Sequence, residues 1–239
     1  MEADQKKFAT QINEFTDLRS SLQVIQERMS TKPLGLFPAF LSPIEELISS
    51  ARTSIRIVSP IPAPGIITVP TTWDRLRATM ESKARSGVDV RFVSCERPVR
   101  SAQFDRQFER DKAAWVDVYP KKFRNFVAYH APQIGARLVS PAELRELVLD
   151  VEERLLAQWG SLMKVRLISE GTPVWFWVAD GRSAIVAIGN SSATGSAFYT
   201  QDASLVSALL ALFERYEKET ESAQPLTGHL AAPVQQTLG

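Results

Sequence analysis

The sequence predicts a layered α/β domain, with a mixed, largely parallel sheet flanked by helices and one amphipathic helix in front of it. Three observations carry that expectation. Short runs such as Ser54-Ile55-Arg56-Ile57-Val58 and Val88-Asp89-Val90-Arg91-Phe92-Val93 alternate with the period of strands. Between them lie stripes of apolar residues three and four apart, the period of helices. Capping and turn residues, notably Ser42-Pro43-Ile44-Glu45, Gly87 and Ser140-Pro141-Ala142-Glu143, punctuate the alternation.

Residues 3–29 carry Phe8, Ile12, Phe15, Leu18, Leu22, Ile25 and Met29, which form one apolar stripe on a helix. The spacing is close to the a/d pattern of a coiled coil, although Gln11 occupies one d position. Such a stripe packs on its own domain or on another helix, so a homodimer or a partner protein held through the 3–29 helix is the expected interaction. Pro33, Gly35 and Pro38 cannot continue the helix. The expected organisation is therefore helix and linker over 1–35, a folded domain over 36–220 and a flexible tail over 221–239, where Pro, Gly, Gln and Ala recur without period.

Within the domain, Ser42 as cap, Pro43 at the first helical position and Glu45 at the third predict a helix over 43–51, followed by a strand at 54–59. A proline-rich loop over 60–70 leads to a helix over 72–86, closed by Gly87, and to a strand at 88–93. A charged helix near 100–113 precedes a strand at 115–119, whereas 120–140 shows no clear period. Ser140 caps a helix whose stripe runs through Leu144, Leu147, Val148, Val151, Leu155, Leu156 and Trp159. Strands follow at 163–169, 174–178 and 183–188, with turns at Glu170-Gly171 and Asp180-Gly181, and a last helix over 203–219 buries Leu205, Val206, Leu209, Leu210, Phe213 and Tyr216.

Composition narrows the function classes. The 239 residues hold 28 basic and 27 acidic side chains, so no global field draws nucleic acid or an anionic membrane. The single cysteine, Cys95, excludes an intramolecular disulfide and a cysteine-rich metal site. The two histidines, His130 and His229, are too far apart in the chain for a recognisable ligand spacing, so neither metal nor cofactor is expected. No eighteen apolar residues run together and no apolar leader opens the chain, which predicts a cytoplasmic protein without a membrane partner.

The stretch Pro173-Val174-Trp175-Phe176-Trp177-Val178-Ala179-Asp180-Gly181 and the following Gly189-Asn190-Ser191-Ser192 resemble the H-x-K-x-x-x-x-D signature of the phospholipase D superfamily, with its Asn ten residues after the Asp. Asp180 and Asn190 keep that spacing. Ala51-Arg52-Thr53-Ser54-Ile55-Arg56-Ile57 is similar to the family's A-x-x-S-I-x-I entry, Gly87-Val88-Asp89-Val90-Arg91 to its G-V-x-V-R strand, and Phe198-Tyr199-Thr200 with the last helix to its closing segment, so the resemblance spans about 40–218. It implies a phospholipase D-like fold with one copy of a motif that active members use in pairs. Pro173 stands where the nucleophilic His belongs and Trp175 where the phosphate-binding Lys belongs. A proline has no titratable group, and an indole supplies neither nucleophile nor positive charge.

The expected function is therefore a catalytically inactive phospholipase D-like protein, dimeric, working as a ligand-sensing, regulatory or complex-assembly module. The chain is also similar to the effector-binding half of certain prokaryotic sugar-responsive transcription regulators, but before residue 40 there is room for one helix and not for a winged helix. Trp175 and Trp177 fall on one side of a strand, and with Asp180, Asn190, Ser191 and Ser192 they are candidates for an aromatic and polar pocket that takes a small ligand. The competing reading has the tryptophans filling core volume and Asp180 and Asn190 shaping turns. Lys121, Lys122 and Arg124, around Phe123, are the nucleic-acid-binding candidates. Upstream, Arg97, Arg100, Arg106 and Arg110 are interleaved with Asp105, Glu109 and Asp111, which reads as a solvated helix face with local ion pairs. The alternative function is a metal-independent phosphodiesterase or nuclease with a rearranged site built on His130.

Overall fold

The computed structural model describes residues 31–59, 70–110, 140–172, 174–188 and 196–221. In chain order these form β1 (Thr31–Leu36), α1 (Leu41–Ser50), β2 (Ser54–Val58), α2 (Pro70–Arg85), β3 (Asp89–Cys95), α3 (Arg97–Arg110), α4 (Pro141–Gly160), β4 (Lys164–Ile168), β5 (Val174–Ala179), β6 (Ser183–Ile188), β7 (Ser196–Thr200) and α5 (Ala203–Glu221). The strands make one seven-stranded sheet in the order β1-β7-β6-β5-β2-β3-β4.

The sheet is mixed, as expected, but the balance of its pairings differs from the sequence reading. Parallel pairing is confined to β2-β3 and β3-β4. The other four pairings, β1-β7, β2-β5, β5-β6 and β6-β7, are antiparallel. The physical reason lies in β5. Positive φ at Asp180 (52°) and Gly181 (64°) turns it tightly into β6, and its other edge pairs with β2, placing a hairpin in the middle of what alternation suggested was a βα series. The helices come from α/β alternation; the strand directions come from turns.

Thr31–Leu36, read from the sequence as part of a linker, pairs with β7 as an edge strand of the described sheet. Pro33 is tolerated there because an outer edge needs no N–H from it, and the register slips between Pro33 and Gly35. α1 starts early. Phe40 is its N-cap without a side-chain bond, and Ser42 falls inside the first turn. Burial of Phe40 and Leu41 outweighs the missing cap. By contrast, Ser140 makes the expected capping box, its hydroxyl accepting from the Glu143 N–H and its own N–H donating to the Glu143 carboxylate.

Each face of the sheet carries its own core. Ile44 and Ile48 of α1, Trp73 and Met80 of α2, and Val148 and Trp159 of α4 pack with Ile55, Ile57, Phe92 and Ile185 on one face. Trp159 is central there: its ring lies 5.2 Å from Phe92 and 6.3 Å from Trp73, and its indole N–H donates to Glu81 at 3.2 Å. On the other face α5 lays Val206, Leu209 and Phe213 against Val58, Val93, Phe176 and Val186. Each such side chain contributes about 1.5–3 kcal/mol by leaving water.

α3 and α4 share the apolar core through Phe104 and Leu144 and are also joined by several ion pairs. Arg97 donates to Glu146 and Asp150 at 2.9 Å each, and Arg145 donates to Asp105 at 3.0 Å. Arg100 bonds Glu152 at 2.7 Å with both side chains only 3% exposed. Of the arginines expected on a solvated face, Arg97 and Arg100 reach across to α4 and Arg100 is buried, whereas Arg106 is exposed.

The 3–29 stripe, the strand at 115–119, Lys121, Lys122, Arg124 and His130 lie outside the described residues, as does the tail from residue 222.

Candidate functional site

β5 sits between β2 and β6, so both of its edges are paired. Trp177 pairs with Ile57 on one side and Ile185 on the other, and Trp175 pairs with Ala187. As the period of two requires, both indoles lie on the face covered by α1, α2 and α4. Trp177 is 8% exposed within that core, and Trp175 is half-buried against it. They fill the interior side of the sheet.

Asp180 is placed elsewhere. It follows the last residue of β5, and its carboxylate turns back onto the segment before β2. The backbone N–H groups of Arg52, Thr53 and Ser54 donate to it at 2.9, 2.8 and 3.0 Å, and the Thr53 hydroxyl donates at 2.8 Å. Its own N–H donates to the Ser54 carbonyl at 2.9 Å. Partial burial alone would raise this carboxyl, but the donors from Ser54, Thr53 and Arg52 hold it well below the usual carboxylate range. The Ala51–Ile57 segment and Asp180 are thus one structural unit: the aspartate staples the β5–β6 turn to the start of β2.

Of the predicted site residues, those described take separate places: Trp175 and Trp177 on the core face of β5, and Asp180 at its end. Trp175 and Asp180 are five positions apart along an extended chain, roughly 17 Å. β6 ends at Ile188 opposite Val174, at the Trp175 end of the hairpin, while Asp180 occupies the other end. Asn190, Ser191, Ser192 and Pro173 themselves lie outside the described residues.

The register also shows what shares a row with Trp175. Val58 pairs with both Val93 and Phe176, so one step further Ser59 lies between Ser94 and Trp175. Ser94 pairs with Leu167, and Ala187 pairs with Ala197. The row Leu167, Ser94, Ser59, Trp175, Ala187, Ala197 contains no imidazole, ammonium or carboxylate. The Ser94 hydroxyl is buried without a hydrogen-bond partner. Serines inside strands carry no motif, which is why sequence reasoning passed over Ser59 and Ser94.

Other chemistry is sparse among the described residues. No group of three or more His, Cys, Asp or Glu side chains is arranged to hold a metal ion there. Cys95 is buried, and that burial raises its thiol, the opposite of a reactive thiolate. A groove of about 570 Å³ is lined by Ser42, Glu45, Glu46, Ser49, Ser50 and Arg75, on the outside of α1 and away from the tryptophans. No described helix is long and apolar enough to cross a membrane.

No family model matches the chain, and no curated protein does. Among solved structures it is similar to TrmBL2, an archaeal chromatin protein, at 11% identity over 90% of this chain with a TM-score of 0.43. The chain spans 65% of the length of that protein. It is also similar to Nuc, a phospholipase D family member from Salmonella typhimurium, at 12% identity over 79% of this chain and 95% of that one, with a TM-score of 0.44. NucT from Helicobacter pylori gives 11% identity, 79% and 96% coverage and a TM-score of 0.43. Likenesses of this strength assign neither a family nor an activity to the chain.

Proposed function

We propose that the chain is a catalytically inactive phospholipase D-like module that serves complex assembly or regulation, as a homodimer or with a partner protein, through residues 3–29. The observation that carries this reading is the pair of commitments made by the motif. Asp180 spends its carboxylate on Arg52, Thr53 and Ser54, and Trp175, at the position of the phosphate-binding Lys, packs against the core. The motif residues present in the sheet support the fold, and the row beside Trp175 offers serine hydroxyls but no described imidazole or ammonium.

The same observation ranks assembly ahead of ligand sensing. Trp177 belongs to a filled core rather than to the wall of an opening, so the tryptophans supply packing. Association then falls to the 3–29 stripe, whose Phe8, Ile12, Phe15, Leu18, Leu22, Ile25 and Met29 need an apolar surface to cover them. Light scattering on the full chain tests this: the expected mass is twice 26.6 kDa, falling to that of a monomer when residues 1–30 are deleted. A monomer with and without that segment, at all concentrations, would remove self-association from the reading.

A further inference from the structure

Of the described helices, α3 is the least embedded. Phe104 is its one core side chain, with Val99 and Phe108 at the core margins, whereas α1, α2, α4 and α5 each bury three or more apolar side chains. Its main neighbour among the described elements is α4, and the charges between the two helices do not balance. Asp105, Glu146, Asp150, Glu152 and Glu153 meet Arg97, Arg100 and Arg145, five carboxylates against three guanidinium groups. Only one pair lies in the interior: the Arg100 and Glu152 side chains are each 3% exposed and 2.7 Å apart. The other four acids are about half in water. Arg100 has a second anionic partner, because its other terminal nitrogen donates to half-exposed Glu153 at 2.9 Å, while its Nε donates to the Cys95 carbonyl at 2.9 Å. With Glu152 neutral and Glu153 ionised, the buried guanidinium is matched by one charge. With both ionised, the interior holds an anion that nothing offsets.

We propose that α3 is a proton-operated latch: it is closed on α4 while Glu152 carries a proton, and it opens as Glu152 ionises, with the sheet and the remaining helices still folded. The device is independent of the assembly reading, since every residue it uses lies in α3, α4 and β3. Among the described residues, the charged groups facing Glu152 are Arg100 and Arg97 from α3 and Glu153 from its own helix. β3 contributes Cys95, whose thiol is kept neutral by burial. Lys164 and Arg166 of β4 pair with Arg91 and Val93, on the α5 side of the sheet and away from α4. Glu81 of α2 meets α4 at Gln158 and Trp159, about two turns beyond Glu152. Burial pushes the Glu152 carboxyl up to about 7 against the opposing pull of Arg100. In the open form the carboxyl is in water at its usual value of 4.5, so closure binds the proton more tightly. Closure is therefore favoured fully below about 4.5, and that advantage is lost as pH rises to about 7.

Amide hydrogen exchange, read by mass spectrometry on the full chain and on Glu152→Gln, tests the latch at about pH 6 and about pH 8. After correction for the intrinsic rate, exchange in α3 is expected to rise about tenfold between the two in the unaltered protein, while α5 and the strands stay unchanged. Glu152→Gln, fixed in a neutral form, should keep α3 protected at both. A rise of the same size in the variant assigns the effect to another group and overturns the proposal. So does an α3 that is already unprotected at about pH 6 in the variant, because the neutral side chain then fails to close the latch. Exchange that rises equally in every element overturns it too, since the loss is then of the whole fold, and so does no rise at all. Should the variant not fold by circular dichroism, the comparison of α3 with α5 in the unaltered protein decides: a rise confined to α3 upholds the latch, and a uniform rise or none overturns it.

Discussion

Asp180 shows how much a single side chain contributes to this fold. Four donors converge on its carboxylate, and hydrogen bonds to a charged group are worth about 1.5–3 kcal/mol each before losses elsewhere. Asp180→Ala is expected to destabilise the fold by about 2–3 kcal/mol, with added strain because the position has a positive φ of 52°. Chemical denaturation measures it, and an unchanged midpoint would refute the staple. The sign of its pH dependence follows from its lowered pKa. An acid that ionises more readily when folded stabilises the protein above its unfolded value of 3.8, and the contribution is lost as pH falls below that value. Trp177→Ala should cost about 3–5 kcal/mol as a core truncation, and Trp175→Ala less because Trp175 is half-buried; equal small effects would mean that the indoles are not packing elements. The spacing of Asp180 was visible in the sequence. Its partners were not, because Arg52–Ser54 lie 126–128 residues away and bind through backbone groups that every residue possesses.

Among the described elements, α3 and α4 are joined by a network of ion pairs in addition to apolar packing. Four carboxylates, Glu146, Asp150, Glu152 and Glu153, meet two guanidinium groups from Arg97 and Arg100. Burial pushes the Glu152 carboxyl up to about 7, more than Arg100 beside it can offset. A folded state that binds this proton more tightly than the unfolded chain loses stability as pH rises from about 4.5 to about 7. Urea unfolding of Glu152→Gln, which mimics the protonated acid, should lack that slope; an identical slope in the variant would assign it to another group. Ser140→Ala should cost about 1 kcal/mol by removing one half of the capping box. α4 was legible because its cap and stripe are local signals. The start of α1 was not, since burial of Phe40 and Leu41 overrode a well-formed Ser-Pro-Ile-Glu signal two residues later.

For the whole molecule, alternation of helices and strands announced a layered sheet but not its directions. The largely parallel sheet expected from that alternation is overturned by the β5–β6 hairpin, whose insertion beside β2 is set by pairing between residues more than a hundred positions apart. β1 was hidden for a related reason: prolines and a glycine that break a helix are compatible with an irregular sheet edge. What Pro173 and Trp175 lack was legible at once, because neither side chain carries an imidazole or an ammonium. Catalytic silence is the claim most directly open to measurement. Full-length protein at tens of micromolar is incubated with bis(p-nitrophenyl) phosphate and with single-stranded DNA, with and without a metal chelator, alongside His130→Ala. No product above the protein-free blank is predicted, and chelator-resistant hydrolysis that disappears in His130→Ala would contradict it.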